Sequence, residues 1–350
     1  DLQLADVIVD GVQDALYSVK DIVVDIDSAM ANVRKVALPI DVDSIDKLDD
    51  IKRRAIDISK EVGMASADVI NSISDTIQNG GYAMEEAIEI AKQTMMLANV
   101  GEMTQESATK GVVTMLSGFK LDPLKEVSVV VDGVTKSTNE LTNAMDKINY
   151  VGNNFSISTE GILNAFQGGA TVLQEYGVGM TETVALITGA NKTLQDPSVV
   201  GNGLKSIAIN LQGIKTDAYT GELALNKTAM SLEKIAGIDV FKDKQKGQVK
   251  SMIDIMDELY KKWDSFTDEE RAGLAEAIAG KQQSRVFQSL MGNYQDVLAV
   301  RKEINEQGLH FGSAEAENAQ YLDSIAGKLN TLKETWVSII TTIVDSGAVK

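Results

Sequence analysis

Apolar positions in this chain recur at three- and four-residue steps along most of its length, and that period belongs to an α-helix. Leu4, Val7, Ile8, Val12, Leu16, Val19, Val23, Ile26, Met30 and Val33 form the first such run, over 2–38, weakened by Gly11 and by β-branched residues. Leu38-Pro39 ends it, because the residue before proline avoids the helical region. Ser44 to Val62 reads as a second helix, with Gly63 suited to its C-terminus. Ser66–Gln78 and Met84–Asn99 follow, split by Asn79-Gly80-Gly81. Thr104 caps a helix to Leu116. Leu124–Ile148 reads as one longer helix interrupted near Gly133, residues 151–158 as a loop, and Ser158 as the cap of a helix ending at Tyr176. Thr181–Asn191 is short. Asp196 at the N-cap and Pro197 at the first helical position then open Ser198–Leu211.

From 213 to 247 the period fails. Gly213, Gly221, Gly237 and Gly247 punctuate the stretch, and only Lys227–Ile235 reads as helix, so an inserted loop or a small strand pair is expected. Regularity returns at Ile253–Tyr294 as three short helices. Thr267 with Glu270 forms a capping box for the middle one, and Ala279-Gly280-Lys281-Gln282 breaks it from the third. The last helix differs in kind. Leu322, Ile325, Leu329, Leu332, Trp336, Ile339 and Ile343 step alternately by three and four, which is an a/d seam over three heptads. The spacing fits an amphipathic helix packed on its own domain and equally a coiled coil between chains. Trp263 and Trp336 both lie on apolar faces and are expected in the core.

The pattern predicts an all-α protein: a multi-helix globular domain with short loops, a small irregular or β insertion, and a C-terminal heptad helix. The expected divisions are a helical lead-in at 1–19, the first part of the domain at 20–212, the insertion at 213–247, the three-helix segment at 248–316 and the heptad helix at 317–350.

Composition narrows the chemistry. Apolar residues make up 44% of 350, enough for a core, but aromatics are only 5%, so Ala, Ile, Leu, Val and 13 methionines fill it. With no cysteine there is neither a disulfide framework nor a thiolate metal site. The net charge of −18 leaves no basic face for phosphates, which argues against a sequence-specific nucleic-acid partner. No apolar run reaches the roughly 18–20 residues of a membrane span. The chain begins with Asp and reads as a fragment of a longer protein.

Several strings imitate functional sites. Gly201-Asn202-Gly203-Leu204-Lys205-Ser206 resembles a phosphate loop, but its Gly and Lys are not adjacent and it follows no strand. Asp41-Val42-Asp43-Ser44-Ile45-Asp46 starts like a calcium loop, then offers Lys52 where the bidentate Glu belongs. His310 is the sole histidine and has no zinc-binding company. Glu85-Glu86 and Glu269-Glu270 sit at adjacent helical positions, which diverge by about 100 degrees and do not face one bond. No catalytic, metal or cofactor residue is assigned, and no enzymatic activity is expected. A helical-bundle interaction or signalling protein is one reading of such a chain.

A second reading comes from the order of six segments. Asp257–Tyr294 (DELYKKWDSFTDEERAGLAEAIAGKQQSRVFQSLMGNY) resembles the conserved domain of tailed-phage tail tape measure proteins. So do IDSAMANVRKV (Ile26–Val36), ANVGEMTQESA (Ala98–Ala108), VGNNFSISTEGI (Val151–Ile162), LQDPSVVGNGLKSIAINLQG (Leu194–Gly213) and ENAQYLDSIAGKLNTLKETW (Glu317–Trp336). The resemblance implies a structural protein that sets tail length, scaffolds the tail tube and is ejected ahead of DNA. It also implies partners: further copies of itself through the heptad seam (three favoured over two, inside a six-fold tube), the tail tube protein, tail tip or baseplate proteins, and a tail assembly chaperone. Host membrane contact would fall to segments outside this fragment. The expected location is the virion tail, with the host cytoplasm during assembly. Folded compactly, 350 residues make a body about 50 Å across, more than twice the width of a DNA duplex. The fragment is therefore expected to be a folded terminal or tip-proximal module rather than the ruler itself, or to occupy the tube only in an opened, elongated form.

Overall fold

The computed structural model describes residues 21–211, 214–216, 223–243 and 248–345, and these are overwhelmingly α-helical. The expected lead-in at 1–19 lies outside them. In chain order the elements are α1 (21–36), α2 (Pro39–Val42), α3 (Ile45–Val62), α4 (Ser66–Gly80), α5 (Met84–Val100), α6 (Gln105–Phe119), β1 (Glu126–Val131), β2 (Val134–Asn139), α7 (Glu140–Asn154), α8 (Thr159–Glu175), α9 (Met180–Leu194), α10 (Pro197–Leu211), β3 (Ile214–Thr216), β4 (Leu223–Leu225) and α11 (Lys227–Ser231). A π-helical turn at Leu232–Ala236 extends α11. Then come β5 (Phe241–Asp243), β6 (Gln248–Val249), α12 (Met252–Lys262), α13 (Asp268–Gly292), α14 (Tyr294–Arg301), α15 (Ser313–Asp323) and α16 (Ile325–Asp345).

Local chemistry sets most helix ends. The first backbone N–H groups of a helix have no partner within it, and short polar side chains supply one. Ser44 accepts from Lys47 N–H at 3.3 Å, Thr104 from Ser107 at 3.2 Å, Ser158 from Gly161 at 3.0 Å and Asp196 from Val199 at 3.1 Å. Thr267 and Glu270 close the expected capping box, Thr267 N–H donating to the Glu270 carboxylate at 2.8 Å. Gly63 (φ 76°) closes α3 in the left-handed region that glycine tolerates. Inside α13, Gly280 adopts φ 74°, ψ 161° and turns the helix where the sequence predicts a break.

The chain divides into two compact units: residues 1–113 with 314–350, and residues 114–313. In the first, α3 packs on α4, α5 and α16. Its core joins Ile26 and Val33 of α1, Ile51 and Ala55 of α3, Ile70 and Ile73 of α4, and Ile90 and Ala91 of α5. Arg54 of α3 grips Glu85 of α5 through two hydrogen bonds of 2.7 and 2.8 Å. Asn318 of α15 donates to the Glu61 carbonyl of α3 and accepts from Asn99 of α5. In the second unit, α8, α9, α10 and α13 pack together. Their core includes Leu163, Phe166, Leu186, Ile187, Leu204, Ile207, Ile278, Phe287 and Leu290.

Three expectations need correction. Leu124–Ile148 is not one interrupted helix: it holds the antiparallel hairpin β1–β2 followed by α7. The valine-rich β1 favours strand, and Asp132-Gly133 form a two-residue turn with both φ positive (51° and 77°), the geometry such hairpins need. The loop expected from 151 begins only after Asn154, because α7 continues that far. The last helix is not continuous from Leu322: the chain bends at Ser324, whose hydroxyl accepts from Gly327 N–H at 3.1 Å and starts α16 afresh. The insertion at 213–247 contains two strand pairs among its described residues, β3–β4 and β5–β6, beside α11.

Candidate docking surface

Helix α16 carries the predicted seam, and its packing is the reverse of what an amphipathic helix on its own domain adopts. Four of the a and d side chains point away from the unit: Leu329 is 60% exposed, Leu332 55%, Trp336 57% and Ile339 46%. The expectation that Trp336 belongs to the core is therefore wrong for Trp336, though right for Trp263, which is buried against Phe287 at 5.7 Å between ring centroids. Leu322 lies on α15, half-buried near Gly63, and does not share the helix of the seam. The backbones of Ile325 and Ile343 fall within α16, and their side chains lie outside the described residues.

Gly327, Glu334 and Thr341 face inward instead, together with Val337. The first three are seven residues apart and occupy the f position of the heptad, on the side of the helix opposite the a/d seam. Glu334 is only 4% exposed. Its carboxylate accepts hydrogen bonds from the hydroxyls of Ser59, at 3.3 Å, and Ser66. Both serines are buried, and they lie 3.0 Å from one another. A buried carboxylate persists only where such donors replace water. Asp68 on α4 is held above the usual carboxylate range, first by burial and then by the charges of Glu334 and Asp25.

The strings that imitate sites have structural uses. Gly201 and Gly203 lie inside α10 and let it press against its neighbours. A Cβ at Gly201 would collide with the Ala165 carbonyl of α8, and one at Gly203 would lie 2.6 Å from Val286 of α13. The 41–46 string forms the entry to α3, with Ser44 as its cap. His310 is buried, its Nε2 2.8 Å from Asn143 Oδ1 on α7. Burial, and then the charge of Lys147, push its imidazole down to about 4. Glu85 is taken by Arg54, Glu86 reaches the Ala83 N–H at 3.1 Å, and Glu270 belongs to the capping box. Among the described residues no three His, Asp or Glu groups are placed to hold a metal ion. Among the same residues no helix is long and apolar enough to cross a membrane.

Among the exposed apolar side chains, those of α16 form a stripe that follows the helical repeat. Its existence was legible from the three-and-four spacing, while its outward orientation and the inward carboxylate were not. No solved structure matches this chain. A model of the phage-related minor tail protein family matches residues 52–280, from within α3 to the turn of α13, about two thirds of the length and short of the seam. On that match the chain belongs to the phage-related minor tail protein family and is a structural component of a phage tail.

Proposed function

We propose that this minor tail protein is a segment of a tail tape measure protein, which sets the length of the tail, scaffolds tube assembly and leaves the tube ahead of the genome at infection. The observation that carries the reading is the apolar heptad seam turned outward on α16. A protein that measures length must keep several chains in register along one axis, and a seam repeating every seven residues does so. The self-association surface runs from Ile325 through Leu329, Leu332, Trp336 and Ile339 to Ile343. Mixed Leu, Trp and Ile at a, with Ile and Leu at d, is not the β-branched-a, leucine-d pattern of a dedicated dimer, so three copies are favoured over two. The tail tube protein, tip or baseplate proteins and an assembly chaperone are the further partners, met first in the host cytoplasm.

Two compact units of this kind make poor rulers, since a ruler needs one extended helix at about 1.5 Å per residue. The described residues therefore serve as the folded end of the measuring segment. They contain no disulfide and a methionine-rich core, so they open for ejection at the modest cost usual for domains, about 5–15 kcal/mol.

Electron microscopy of tails tests the reading. Helical residues are deleted in the parent gene downstream of this segment, and tail length is measured. Shortening by about 1.5 Å per deleted residue is expected. Tails of unchanged length would refute the length-setting role.

A further inference from the structure

The rotation of α16 about its own axis needs an explanation, because the hydrophobic effect alone would choose the other one. A lone unit would gain most by turning Leu329, Leu332, Trp336 and Ile339 onto α3, since burial of apolar surface dominates folding. Among the described side chains it instead buries a glycine, a threonine, a carboxylate and the single valine Val337 on that side. No ion pair holds Glu334 among the described residues, and its charge acts on Asp68 of α4, an acid of its own sign. What holds it is geometry: the hydroxyl of Ser66 at the start of α4 donates to one carboxylate oxygen, and that of Ser59 at the end of α3 lies 3.3 Å from the same oxygen, its single proton shared with the Ile56 carbonyl at 2.7 Å. Turning α16 by half a revolution would empty this serine socket and leave the two serines to each other at 3.0 Å.

We infer that Glu334 is a positioning residue, a peg that fixes the rotation of α16 so that the seam faces away from its own unit and is taken up by the seam of a second copy. This rests on the self-association reading above and adds the residue that makes it work. Buried polar groups contribute little net stability, but they can choose between otherwise competing arrangements, as a single asparagine does in a coiled coil. A peg at the f position puts the folded unit behind the helix, so that α16 helices of neighbouring copies meet with nothing between them. The flanks of the seam carry Lys328 at g and Lys333 at e, both exposed. In a parallel pair these two approach each other across the interface, as like charges, so association of copies strengthens as salt screens them.

The test compares Glu334→Leu, Glu334→Gln and the socket variant Ser59→Ala/Ser66→Ala with the unaltered full chain. Trp336 is one of two tryptophans, and the other, Trp263, is buried, so acrylamide quenching in dilute solution reports chiefly on the seam. Sedimentation at higher concentration reports self-association. Glu334→Leu and the socket variant are expected to cut the quenching of Trp336 at least twofold, shift its emission to the blue and abolish association. Glu334→Gln, which keeps an oxygen for the serines, should retain both signals. Trp336 as accessible in Glu334→Leu and the socket variant as in the unaltered chain would overturn the peg. An unaltered chain that stays monomeric at every concentration would overturn the second copy as occupant, while the quenching comparison would still decide the peg.

Discussion

Helices α10 and α16 are both rich in apolar residues and face opposite fates. In α10 the large side chains Val200, Leu204, Ile207 and Leu211 are buried, and glycines at 201 and 203 bring the backbone close to α8 and α13. In α16 Leu329, Leu332, Trp336 and Ile339 are outside, and Gly327, Glu334, Val337 and Thr341 are inside. The difference lies in the opposing residues. α10 shows bare backbone to its neighbours, which lets whole helices close on one another. α16 meets a pair of buried hydroxyls, which select a carboxylate. Apolar content says that a helix will bury something; the partner surface decides which face.

The most damaging substitution falls in α10. Gly201→Val would drive a side chain into the Ala165 carbonyl, an overpacking that adjusting one rotamer cannot relieve. The expected loss is about 3 kcal/mol or more, read from urea unfolding followed by circular dichroism. A second effect belongs to the unit of α10 alone. The His310 imidazole is lowered from its ordinary value of 6.5 to about 4, so its contribution to stability is complete above 6.5 and is lost as pH falls through 4. About 2–3 kcal/mol should disappear between neutral pH and pH 4. His310→Gln should flatten that part of the pH profile, and an unchanged slope would contradict the assignment.

Smaller effects sharpen the contrast. Thr267→Ala removes the cap of α13, against which α10 packs, and should cost about 1 kcal/mol in the same unfolding experiment. On α16, Leu332→Ala and Trp336→Ala alter side chains more than half exposed, so stability should stay within about 0.5 kcal/mol of the unaltered chain. Their effect should appear in sedimentation, as weakened self-association. A large loss of stability from either would mean that the stripe is already covered within one chain.

How much of this was legible from the residues follows how far each cause reaches along the chain. Caps and breaks are local, and Ser44, Gly63, Ser158, Asp196 with Pro197, Thr267 and Gly280 act where the sequence places them. The β1–β2 hairpin had its own signal in Asp132-Gly133 between β-branched residues, hidden because Val130 and Val131 interrupt the alternation and the helical period of α7 follows directly. The seam was legible as a period. Its outward orientation was not, because it depends on Ser59 and Ser66, some 270 residues from Glu334 in the chain. Trp336 misled for the same reason: periodicity places a residue on a face without saying whether that face looks in or out.

The turn at Gly280 has a mechanical consequence. Two carbonyls of the last turn before it, those of Ala277 and Ile278, accept from the Thr228 hydroxyl at 2.7 Å and the Asn210 amide at 2.9 Å. These are borrowed bonds, supplied by α10 and α11 rather than by the next turn of α13. Drawing α13 out straight would tear both at once and pass the pull to two helices that lie more than forty residues upstream. The corner works as a shear pin: rigid while the unit is at rest, and under tension the place where three helices give way together.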